Sequence, residues 1–258
     1  QFNFSDFTQM KAIVATAVKM KSPVILGTSE GESKFFGLDE AVALRDVLCK
    51  KTGLPIFLNL DHGKSFEYLK QAIDAGYDAV HFDGSKLPLE ENIKITKKVR
   101  RYADWRGVLT EGEVGMVGFE TKEEYLTNPE EAKKYSKETK SDLLAISIGN
   151  FHGSESFKQQ PNLNFDVLKN IKEKVGNIPL VLHGGSGTDS QDIKRAIELG
   201  AVKININTEL RLAFASGLKE SLQGSGEITP YKFLPQAQAK VEKVVEEKIN
   251  LFGSVNKA

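Results

Sequence analysis

The run FLNLDHG, residues 57–63, closes an apolar stretch with an acid and an imidazole side by side, Asp61-His62, and then Gly63. A buried strand gains nothing in packing from such an ending, so these residues point to chemistry. The chain holds 4 histidines, and two more stand in comparable settings: His152 in ISIGNFHG and His183 in IPLVLHGG. Gly63, Gly153 and Gly184 follow the three directly and let backbone approach a bound group. Read singly, each histidine is more simply a hydrogen-bonded core residue. Three at equivalent strand ends reverse that reading. Three imidazoles with a fourth position open are the ligand set of a catalytic zinc, because nitrogen donors suit a borderline-soft ion and the vacancy admits water or substrate.

A second group of residues suits an anion. HGGSG (residues 183–187) follows one apolar run, and NINTE (residues 205–209) ends the next. Glycine-rich backbone presents several N–H groups at once and the Ser186 and Thr208 hydroxyls add donors, which favours a phosphate over a merely flexible loop. Lys203, Asn205 and Asn207 share one face of an alternating strand, with Val202, Ile204 and Ile206 on the other. The polar face must find partners inside the protein, and Asn205 is the one placed to meet a ligand. Glu111 and Glu113 in EGEVG, and His81 and Asp83 in VHFDG, alternate in the same way. For these four, a ligand role and internal ion pairing with Lys203 as counter-charge are both open.

Positioning such residues requires strands that end together. Short β-branched runs recur at residues 2–4, 23–27, 55–59, 79–82, 108–113, 143–149, 178–183 and 202–206. Between them lie amphipathic stretches. Phe66, Leu69, Ala72 and Ile73 fall at helical spacing, and Gly76 supplies the stop. AIDAGYDAVHF and AIELGAVKINI repeat one order of helix end, glycine and strand. Strands alternating with helices, closed by AKVEKVVEEKINLF, predict an α/β chain: a single (β/α)8 TIM barrel with a C-terminal helical extension. Residues 1–258 then form one domain, whose first strand reads as truncated because the chain opens at Gln1 within an apolar stretch. The closing helix would cover the barrel or meet a partner subunit. Active sites of such barrels lie at the C-terminal mouth, with the usual phosphate site after strands seven and eight. That is where the histidines and HGGSG fall.

Composition excludes other classes. Lys+Arg and Asp+Glu each total 35, so no basic footprint for nucleic acid or an anionic membrane is present. KKVRR (residues 97–101) reads as the wet face of a helix. No apolar stretch is long enough to span a bilayer, and no secretory signal is found. Cys49, the one cysteine, offers neither a disulfide framework nor a thiolate metal site; it reads as a small buried hydrophobe in a cytoplasmic protein.

LDHG, DGS, EGEVG, GNFHG, LHGGSG and KININTE, in this order and across nearly the whole chain, resemble the class II, metal-dependent fructose-bisphosphate aldolases, a family that includes tagatose-bisphosphate aldolases. The resemblance implies a zinc held by His62, His152 and His183, with Asp61 as the proton-transferring acid/base. It implies a second or alternative metal position at Asp83 and Glu113. Gly153, Gly184, Gly185, Ser186, Asn205, Asn207 and Thr208 match the segments that bind the dihydroxyacetone-phosphate half of the substrate. A monovalent cation, Na+ or K+, beside the glycine loops, a homodimeric or homotetrameric assembly and a place in glycolysis and gluconeogenesis are also implied.

Two stretches depart from the family pattern. The loop GMVGFETKEEYLTNPEE is shorter than the family's mobile loop, whose glutamate protonates the carbon of the enediolate. Glu120 is the nearest candidate there, while Glu123 and Glu124 also read as helix-start acids. Before the last helix the chain reads Thr229-Pro230-Tyr231-Lys232 where the family often has Asp-Pro-Arg, an arginine linked to the distal phosphate. The expected reaction is zinc-dependent cleavage of a ketose bisphosphate, such as fructose 1,6-bisphosphate, to dihydroxyacetone phosphate and an aldehyde such as glyceraldehyde 3-phosphate. Alternatives are a tagatose-bisphosphate or other phosphorylated-ketose aldolase, or a non-catalytic sugar-phosphate binder. A Schiff-base aldolase would need Lys203, which lies too deep below the mouth, and a barrel metallohydrolase would need an HxH pair that FNF does not offer.

Overall fold

Eight short strands run parallel, each pairing with the next in chain order: Phe2–Asn3 (β1), Val24–Ser29 (β2), Ile56–Gly63 (β3), Ala79–Phe82 (β4), Leu109–Val114 (β5), Leu143–Ile146 (β6), Leu180–Leu182 (β7) and Ala201–Ile204 (β8). The ring closes where Asn3 N donates to Ile206 O at 3.0 Å and Ile206 N to Gln1 O at 2.9 Å. The computed structural model describes residues 1–117, 123–151, 153, 162–223 and 226–258, without the side chain of Glu124.

Helices cover the sheet: Phe7–Met20 (α1), Glu30–Phe36 (α2), Leu38–Thr52 (α3), Phe66–Ala75 (α4), Leu89–Arg106 (α5), Pro129–Thr139 (α6), Phe165–Val175 (α7), Ser190–Glu198 (α8), Thr208–Leu222 (α9) and Pro230–Leu251 (α10). Several of their starts carry polar caps that satisfy spare backbone N–H groups. Asp6 accepts from Gln9 N, Ser65 from Tyr68 N and Asn164 from Val167 N. Ser29 and Glu32 form a reciprocal capping box. As the spacing predicts, α4 ends at Gly76 in the left-handed conformation, φ 107°.

Period two in the strands sorts the side chains. Leu58 and Leu60 of β3 and Leu144 and Ile146 of β6 join the core shared with the helices, each contributing about 1.5–3 kcal/mol when fully buried. The alternate set, Asn59 and Asp61 of β3, His81 of β4, Glu111 and Glu113 of β5 and Lys203 of β8, is buried and polar. Internal ion pairing is realised for one pair: Lys203 Nζ lies 2.5 Å from Glu111 Oε2. The helix α10 packs on α1 and α9. No helix among the described residues is long and apolar enough to cross a membrane.

The structure departs from the sequence reading in three places. The strand β3 does not stop before Asp61-His62 but runs through to Gly63. Val202, grouped with Ile204 and Ile206 on the apolar face of its strand, is not buried with them but 66% exposed. Cys49 is half-buried, its Sγ 3.5 Å from Ile56 O at the edge of the core.

Candidate active site

Adjacent strand residues normally point to opposite faces, yet Asp61 and His62 both reach the barrel mouth. The register of β3 against β4 shifts between Leu60 and Gly63, and His62 takes a left-handed φ of 84°. A non-glycine residue adopts that conformation only at an energetic cost, which the surrounding fold sustains. The twist turns the His62 ring inward, so that Nε2 comes 3.8 Å from Asp61 Oδ1.

Two further rings meet it there. His183 follows β7 directly, and His81 projects inward from β4. The ring centroids of His62, His81 and His183 are 4.5 to 4.7 Å apart, pair by pair. One donor atom from each of Asp61, His62, His81 and His183 lies within 4.8 Å of the others, a group able to hold a metal ion. His62, Asp83 and Glu113 form a second such group. Both ring nitrogens of His81 and the Oε2 of Glu113 are buried without a hydrogen bond, although Nε2 and Oε2 are only 3.0 Å apart. Polar atoms buried and misaligned in this way fit a site built to take a cation.

The charge balance agrees. Burial alone would raise the Asp61 carboxyl, but His62, His81, His183 and Lys203 outweigh it and hold it well below the usual carboxylate range. Burial works against the charged form of His81, yet Asp61, Glu113 and Glu111 push its pKa up to about 10. Asp83 and Glu111 are held low against their own burial, Asp83 mainly by His62 and Glu111 mainly by Lys203. His183, unlike His81, is shifted down, by burial first and by the His62 charge second. Its Nε2–H donates to Glu111 at 2.7 Å, which makes Nδ1 the acceptor, 3.1 Å from Asn205 Nδ2 and 3.7 Å from Asp61 Oδ1.

Asp61 is held on both oxygens. Asn3 Nδ2 donates to Oδ2 at 2.8 Å and Asn205 Nδ2 to Oδ1 at 2.9 Å. Beside this acid lies a pocket lined by Gly153, Gly184, Ser186, Asn205, Asn207 and Thr208. Here α9 begins at Thr208, and its cap residue Asn207 makes no side-chain bond to the first turn. An N-terminus of this kind attracts negative charge. Gly184 has φ 66°, and a Cβ on it would stand 2.4 Å from Phe151 O, so this loop depends on glycine.

The family profile described as "Fructose-bisphosphate aldolase class-II" matches residues 1–257. The chain belongs to this family. It is 39% identical over its whole length to a fructose-bisphosphate aldolase of Geobacillus stearothermophilus, covering 92% of that protein. It is also 39% identical to a 6-phospho-5-dehydro-2-deoxy-D-gluconate aldolase of Shouchella clausii, covering 100% of this chain and 90% of the other. Among solved structures, the YdjI aldolase of Escherichia coli K12 superposes with a TM-score of 0.86 at 32% identity, covering 100% of this chain and 91% of that one. The chain is thus a class II aldolase, a carbon–carbon lyase of a metal-dependent family.

Of the residues singled out in the sequence, Asp61, His62, His183, Asp83 and Glu113 come together at the mouth. Gly153, Gly184, Ser186, Asn205, Asn207 and Thr208 line the neighbouring pocket, and Gly185 N donates to Asn205 O at 3.2 Å. His152 and Glu120 lie outside the described residues. Two participants escaped the sequence reading. Asn3 stands between Phe2 and Phe4, where alternation alone marks it as inward-facing. His81 was placed inside the barrel but not in the imidazole cluster.

Proposed function

We propose that this aldolase cleaves a phosphorylated ketose to dihydroxyacetone phosphate and an aldehyde, with fructose 1,6-bisphosphate as the first substrate to test and zinc as the ion. The observation that carries the reading is the meeting of Asp61, His62 and His183 beside a glycine-rich loop and the start of α9. In this reading His62 and His183 hold the ion together with His152, and Asp83 and Glu113 serve as an alternative position. The ion, when bound, supplies Lewis-acid stabilisation of the electron pair that cleavage leaves on the ketone fragment.

The chain's own residues do the rest. Asp61, ionised and held by Asn3 and Asn205, accepts the proton of the hydroxyl that becomes the aldehyde as the carbon–carbon bond breaks. The backbone of Gly153, Gly184 and Gly185, the Ser186 and Thr208 hydroxyls and the amides of Asn205 and Asn207 bind the phosphate-bearing half, supported by the positive end of α9. Glu120 returns a proton to the carbon of that half. Residues 1–258 act as one barrel domain, and the single Cys49 suits a reducing cytoplasm.

A second substrate reading rests on the acid-sugar relative and on Thr229-Pro230-Tyr231-Lys232, where Tyr231 is 75% exposed. It takes a ketose phosphate lacking the distal phosphate of fructose bisphosphate. Metal-loaded protein assayed against ketose bisphosphates, ketose monophosphates and the phosphorylated deoxy-keto acid is expected to release dihydroxyacetone phosphate or its counterpart from at least one. Asp61→Ala should lose that turnover while still binding substrate. No turnover by the wild type on any of them would overturn the reading.

A further inference from the structure

His62, His81 and His183 share one arrangement. Each turns one ring nitrogen to a carboxylate: His62 Nδ1 to Asp83 at 3.2 Å, His81 Nε2 to Glu113 at 3.0 Å and His183 Nε2 to Glu111 at 2.7 Å. Each turns the other to a common centre. His62 Nε2 and His81 Nδ1 both lie 3.8 Å from Asp61 Oδ1, and His183 Nδ1 lies 3.7 Å from it. One donor atom from each of the three rings and from Asp61 lies within 4.8 Å of the others, close enough for the imidazoles to share one ion. A carboxylate on the far nitrogen is the usual support of a metal-bound histidine, because it fixes the tautomer and raises the basicity of the ligating nitrogen.

From this threefold pattern we infer that His81 is a metal ligand of this aldolase through Nδ1, donated from strand β4, with Glu113 as its positioning carboxylate. The inference rests on the metal-dependent reading of the same site. With the ion at the histidines Glu113 supports His81, and it coordinates directly only when the ion takes the alternative position with Asp83. It also accounts for the side chain's position: His81 is fully buried, pairs in register with Glu111 of β5 and has no hydrogen bond at Nδ1, the nitrogen assigned to the ion. A ring kept there only for packing would sit more favourably as an apolar residue.

The test uses the full chain stripped of metal and titrated with Co2+, whose visible bands report the number and type of donors. His81→Ala and His81→Gln are expected to weaken Co2+ binding at least tenfold and to change the band pattern, with the far-ultraviolet circular dichroism of the wild type retained. Co2+ affinity within twofold of wild type and identical bands would overturn the inference. A measurement on the wild type covers the case in which the variants do not fold. Nitrogen-15 spectra of the Zn2+-loaded protein should show His81 neutral, protonated on Nε2 and shifted at Nδ1. An imidazolium protonated on both nitrogens in the loaded protein would overturn it. Failure of the wild type to bind Co2+ or Zn2+ at all would instead overturn the metal-dependent reading, so the two failures are distinguishable.

Discussion

Asn3 of β1 donates its side-chain amide to Asp61 of β3 across 2.8 Å, so the first strand of the barrel orients the acid on the third. The same amide lies 3.3 Å from Glu32, which in turn pairs with Arg211 at 2.6 Å. Asn3 thereby ties Asp61 to a buried network rather than leaving it to rotate. A hydrogen bond to a charged group contributes about 1.5–3 kcal/mol. Asn3→Ala is expected to lower kcat about tenfold or more with little change in KM, measured by steady-state kinetics. Unchanged kcat would show that Asn205 alone holds the acid.

Lys203 and Glu111 form a buried ion pair inside the barrel, and burial makes its halves unequal to lose. Lys203→Met strands the Glu111 charge and is expected to reduce unfolding stability by about 3–5 kcal/mol. Lys203→Met combined with Glu111→Leu should recover much of that loss in denaturant titrations. The double variant should still bind metal more weakly than wild type, because Glu111 also supports His183.

At Gly184, φ 66° and the 2.4 Å approach of a would-be Cβ to Phe151 O act together. Gly184→Ala must either move the Phe151 carbonyl or refold the loop after β7. The expected outcome is a loss of about 2 kcal/mol or more in unfolding stability, together with weakened phosphate binding by calorimetry.

The metal-free protein should lose stability on the alkaline side. His62 and His81 both have raised pKa values despite their burial, His81 from its ordinary 6.5 up to about 10. A raised value means that the folded state holds the proton more tightly. The stabilisation is complete below 6.5 and disappears as the pH climbs to the folded value. With chelator present, the thermal midpoint should fall as the pH rises from about 6.5 to about 10. Zinc-loaded protein should fall less, since the ion takes the place of the protons among the carboxylates. A flat profile for the metal-free protein would contradict this.

Much of this was legible in the sequence, for physical reasons. β-Branched runs separated by helical periodicity place each strand to within a few residues, and Ala79–Phe82 of β4 matches its predicted bounds. HGGSG and NINTE are local signals that need no tertiary knowledge. The bulge at His62 was not legible, because a histidine gives no sign of a left-handed conformation and the register shift arises from pairing with β4. His81 was ambiguous for a related reason. Alternation sends it inward, but telling a ligand from an ion-paired ring requires knowing which carboxylates face each nitrogen. That depends on the register of β4 against β5 and on closure of the ring.

The most direct measurement is cleavage of a ketose bisphosphate before and after complete metal removal, with the bound ion quantified. Activity is expected to fall to background on removal and to return with about one Zn2+ per chain. Activity that survives with no bound metal, together with a borohydride-trapped adduct on Lys203, would contradict a metal-dependent cleavage at His62 and His183.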